Sequence, residues 1–132
     1  MPPRARTLGE IGLRQGDHQQ AVGHLRQALA LCREIGDRPG EAITLNALGD
    51  ASLATGQPGH ARTEHAAALS LAAQTGDKYE QARAHNGLAH ACRAAGEPGQ
   101  ARHHWRTALS LYTSLGVPEA DQVRSLLTGP AR

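Results

Sequence analysis

With 132 residues and fourteen basic against twelve acidic side chains, a formal net charge of +2, the chain has the length of one domain and can bury a core without disulfide or metal. It lacks the dense basic stripe that phosphate binding needs. Cys32 and Cys92 form neither a disulfide framework nor a Cys-x-x-Cys site, and no window has the apolar run of a signal peptide or membrane span, so the reading is a cytoplasmic protein.

Taken in chain order, apolar residues at three- and four-residue spacing predict seven helices, near 4 to 15, 17 to 35, 38 to 55, 58 to 75, 78 to 95, 98 to 115 and 118 to 128. Asp17 with Gln20 has the spacing of a capping box at the second helix start, and Asp37 is the expected N-cap of the third. Pro58 opens the fourth helix and Pro98 the sixth, at a first-turn position whose N–H has no intrahelical partner. Asp77 with Glu80 is expected to form a capping box on the fifth. Gly56 and Gly96 suit the left-handed residue that ends the preceding helix. No strand pattern competes, and the short turns make consecutive helices antiparallel neighbours.

Shifting the chain by forty residues aligns Leu8, Leu48 and Leu88; Gly16, Gly56 and Gly96; Ala21, Ala61 and Ala101; and Ala28, Ala68 and Ala108. Such recurrence marks a stacked-repeat architecture in which each unit covers its neighbour's apolar face. The expected fold class is therefore all-α, an α-solenoid of antiparallel helix pairs. It forms one domain over 1–132, with three units at about 4–35, 36–75 and 76–115 and a capping helix near 118–128.

Leu48, Gly49, Ala61 and Ala68 in the second unit, and Leu88, Ala89, Ala101, Trp105 and Ala108 in the third, resemble the tetratricopeptide repeat. His65 stands where Trp105 stands one unit later. The forty-residue period is similar to the C-terminal repeats of bacterial STAND-type ATPases and antibiotic-pathway regulators. The resemblance implies a regulatory module that binds a protein or peptide on the face lined by the first helix of each unit. On that face it places Arg6, Glu10, Leu13 and Arg14, then Ile43, Asn46, Asp50 and Leu53, then Arg83, Asn86, His90 and Arg93. Asn46 and Asn86 carry most weight, each offering donor and acceptor to a peptide backbone. Four arginines against Glu10 and Asp50 point to an acidic or C-terminal-carboxylate segment. The alternative reading is the sensor tail of a larger STAND-type transcriptional regulator, or a receptor for a small signalling peptide.

Catalysis, metal and cofactor are not expected. Eight histidines include no i, i+4 pair and no His-Glu-x-x-His motif, and no nucleophile–base–orienter set is present. His65 and His85, at positions the family fills with aromatics, read as packing residues, Cys92 as a small core filler, and Trp105 as core. Nucleic acid is disfavoured as a partner and a membrane is not expected. The first helix is shorter than its counterparts, so the N-terminal face is expected either to self-associate or to continue a longer protein.

Overall fold

The structure, a computed structural model, describes the backbone of residues 3–129 and the side chains of residues 17–129. Among the described residues six helices follow one another: α1 (Pro3–Ile35), α2 (Arg38–Ala54), α3 (Pro58–Thr75), α4 (Lys78–Ala94), α5 (Pro98–Leu115) and α6 (Glu119–Thr128). No strand occurs among the described residues. The all-α stacked-helix expectation holds, with one helix fewer than the seven expected.

The difference lies at Gly16, where α1 runs on without a break. Asp17 is consequently inside a helix and caps nothing. A glycine in a helix interior costs only about 1 kcal/mol relative to alanine. A break must recover more than that through packing or local turn chemistry. His18 occupies the position held by Pro58 and Pro98 in later units, so the proline that fixes those helix starts is missing here.

Every later turn has the same construction. Gly36, Gly56, Gly76, Gly96 and Gly116 all have positive φ, between 68° and 78°. The next N–H reaches back to an otherwise orphaned carbonyl, as from Gln57 to Ser52 at 2.8 Å and from Glu97 to Cys92 at 2.9 Å. This is the Schellman pattern, which suits glycine because a Cβ there would meet the backbone. Pro58 and Pro98 begin α3 and α5 as expected. Asp37 accepts from Gly40 N–H at 2.9 Å and Asp77 from Glu80 N–H at 3.0 Å. The reciprocal half of the second capping box is absent, because the Glu80 carboxylate turns to Asn46 and Arg83 instead.

Two apolar clusters hold the stack. Leu29, Leu45, Leu48, Ala68 and Ala84 form the first. Trp105, Tyr112, Cys92, Ala101, Ala108 and Val123 dominate the second, with Leu126 and Leu127 of α6 packed on it. With no Phe in the chain, alanines bring the helix axes together and Trp105 and Tyr112 supply most of the bulk in the second cluster.

Candidate functional site

The face shared by α2 and α4 is organised from beneath by His65 of α3, which is 1% exposed. Its ring lies between Gly49 and Gly87, and a Cβ on either glycine would collide with it. The small residues of the repeat therefore make room for a side chain from the second helix of the pair.

Asn46, also fully buried, donates through Nδ2 to the Glu80 backbone oxygen at 3.1 Å and to Glu80 Oε1 at 2.9 Å. That fixes the amide orientation and leaves its Oδ1, 2.8 Å away, to accept from His65 Nδ1. The other ring nitrogen, Nε2, lies 3.4 Å from Asp50 Oδ1. Arg83 closes the array, donating to Asp50 Oδ2 at 3.0 Å and to Glu80 Oε1 at 3.4 Å. Burial alone would raise the Asp50 carboxyl, but hydrogen bonds and charge from His65 and Arg83 outweigh it and hold it below the usual carboxylate range. Burial likewise opposes the charge on Arg83, and Asp50 and Glu80 more than compensate.

One unit later the same positions hold a different group. Trp105, in the place of His65, donates from Nε1 to Asn86 Oδ1 at 3.0 Å. The His90 ring stands edge-on to the indole, with centroids 5.2 Å apart, and the Arg93 guanidinium lies 5.1 Å from the ring centroid. An oriented arginine over indole is a cation–π arrangement. Burial, with the neighbouring Arg93 charge adding, lowers His90 and favours its neutral ring.

The expected binding residues thus divide by environment. Arg6, Glu10, Leu13 and Arg14 lie outside the residues whose side chains are described. Ile43 and Asp50 are exposed, Leu53, Asn86 and His90 are partly exposed, and Arg93 is exposed. Asn46 has no accessible surface and spends its amide inside the chain, so it positions the face rather than presenting itself to a partner. Arg83 is tied to two carboxylates. Of the two arginines of this face with described side chains, Arg93 is the one without a carboxylate partner among the described residues.

Sequence spacing gave no sign of a pairing behind this face. His85 of α4 and His104 of α5, nineteen positions apart, bring their Nδ1 atoms to 3.0 Å, so one ring donates and the other accepts. Burial, with the charges of His104 and His103 adding, pushes His85 down to about 4. Burial, with His103 and Arg62 adding, also lowers His104. An unfolded His85 takes up its proton near pH 6.5, whereas the folded ring waits until about pH 4. The unfolded state therefore holds more protons between those values, and stability is lost as pH falls through that window. Allowing for screening by water around a half-buried ring, the loss is roughly 1–2 kcal/mol. Urea melts at neutral and mildly acidic pH check it, and His85→Leu, which copies Leu45 of the preceding unit, should flatten the dependence.

A cavity of about 570 Å³ opens elsewhere, in the seam between α1 and the end of α2, with Val22, Arg26, Ser52 and Gln57 among its walls. In the next seam Arg62, the counterpart of Val22, donates to Glu97 at 2.6 Å and contacts Cys92 at 3.5 Å. The shorter Val22 leaves the corresponding space open.

A family model described as "Tetratricopeptide repeat" matches residues 4–74, more than half of the chain. No curated protein matches the sequence.

Proposed function

We propose that the chain, which belongs to the tetratricopeptide repeat family, is a regulatory receptor that holds an extended segment of a protein partner along the α2–α4 face. Repeats of this family mediate protein–protein interaction and form a non-catalytic module. The observation that carries the reading is the contrast between Arg83, bound on both sides, and Arg93, exposed and oriented over Trp105. Asn86, His90 and Arg93 stand at i, i+4 and i+7 on α4, so they share one side of the helix. The Asn86 Oδ1 is used by Trp105, which aims its NH₂ away from the indole toward an outside acceptor.

Donors dominate this strip. A backbone carbonyl beside Asn86 and a carboxylate beside Arg93 match it, and the exposed Ile43 supplies apolar contact at the α2 end. An acidic preference therefore rests on Arg93 rather than on a general excess of arginine. In fluorescence polarisation against acidic, neutral and basic peptides of equal length, acidic peptides should bind best. Arg93→Glu should weaken them at least about tenfold, equivalent to roughly 1.4 kcal/mol. Equal binding of basic peptides, or unchanged affinity in the Arg93→Glu variant, would refute the assignment.

A further inference from the structure

The repeat supplies its own control for what should cover each helix. In α3, Ala61, His65, Ala68 and Ala72 are 0%, 1%, 0% and 0% exposed, and their α5 counterparts Ala101, Trp105, Ala108 and Tyr112 are 1%, 4%, 0% and 2% exposed. Forty residues before the first set, Ala21, Leu25, Ala28 and Cys32 of α1 are all only partly buried. In the later units this stripe packs against the first helix of its own pair. Among the described residues, unit one has the stripe without that cover.

The α2 side gives the same indication. Arg83 of α4 bonds back to α2 through Asp50, but its counterpart Ile43 is 45% exposed. An empty seat shaped for a first helix of this repeat therefore lies between the Ala21–Cys32 stripe and the Ile43 side of α2.

The sequence contains a segment made for it. Residues 4–15 carry Leu8 and Gly9 in register with Leu48 and Gly49, and the family match begins at residue 4. Gly49 is the residue that admits His65, and Gly9 is in register to admit Leu25. Yet α1 is one helix of 33 residues, about 50 Å long at 1.5 Å per residue. An unbroken helix cannot fold its first half back onto its second.

We propose that two copies of this chain exchange these segments, residues 4–15 of each filling the empty seat beside the Ala21–Leu25–Ala28–Cys32 stripe of the other. The contact occurs twice by twofold symmetry and closes at a dimer. It would also add the expected binding residues Arg6, Glu10 and Arg14 of one copy to the α2 face of the other. The exchange covers Ile43 and leaves the Arg93 strip of α4 open, so in the dimer the peptide reading rests on Asn86, His90 and Arg93 alone and the two are tested separately.

The test is light scattering on the purified chain, with His18→Pro as the decisive variant. That change restores the Gly-x-Pro turn of Gly56–Pro58 and Gly96–Pro98, removes a helix-interior N–H, and should let residues 4–15 fold back onto their own stripe. The native chain should run at twice its 13.9 kDa mass, and His18→Pro should run at the single-chain mass with its helical circular dichroism retained. A native monomer at 100 µM overturns the proposal, as does a folded His18→Pro chain that remains dimeric. Should His18→Pro unfold, Leu25→Glu decides, because charge in the seat must give a monomer. A dimeric Leu25→Glu chain also overturns the proposal.

Discussion

Asn46→Ala is expected to destabilise the chain by about 2–5 kcal/mol, because two buried polar groups lose their partner together. The Glu80 carboxylate, 5% exposed, loses a donor and the His65 ring loses an acceptor, and neither can turn to water. Arg83 still reaches Glu80, which keeps the cost below that of an isolated buried charge. Asn86→Ala is the matched control. It removes one hydrogen bond at a partly exposed site and should cost about 1 kcal/mol. Urea unfolding of the two variants gives the comparison, and equal losses would contradict the special place assigned to the buried array.

Trp105→Ala is expected to cost about 3–5 kcal/mol, the range for emptying a large aromatic from a packed core. Trp105 is 4% exposed, and the residues around it in the cluster are mostly alanines, which cannot swing into the void. The variant also removes the ring under Arg93, so peptide affinity and stability should fall together. Trp105→Phe separates the two effects. It keeps most of the apolar volume but leaves Asn86 without its indole donor, and should cost roughly 1 kcal/mol. Circular dichroism is the suitable probe, since the variants lack the sole tryptophan.

Periodicity and turn chemistry made much of the architecture legible. The glycine phase positions, the proline helix starts and the Asp37 and Asp77 caps are local signals, and each operates through backbone groups within a few residues. Gly16 misled because the same residue type ends a helix or passes within one according to whether the following segment finds a partner. At the site, the recurrence of Asn46 and Asn86 drew attention to the right column of the repeat. The spacing did not distinguish a buried amide that braces His65 from a partly exposed one that braces Trp105. That difference depends on the residue opposite, nineteen positions away, and on Glu80 abandoning its cap for Asn46. The His85–His104 pairing was hidden for the same reason, since it joins neighbouring helices rather than successive turns of one.

The ties from Asn46 to Glu80 and from Asp50 to Arg83 span the junction between neighbouring units. A stack joined by apolar contact alone can peel from either end, one pair at a time. Here the central helices are expected to open in concert, because separating α2 from α4 strands ions and amides at once. The only side-chain ion pair between α1 and α2 among the described residues is the surface one of Arg33 with Glu41, which is worth little. In the chain separated into single copies, amide deuterium uptake should accordingly advance from α1 inward and stall at the α2–α4 boundary, making the middle of the molecule its slowest-exchanging block.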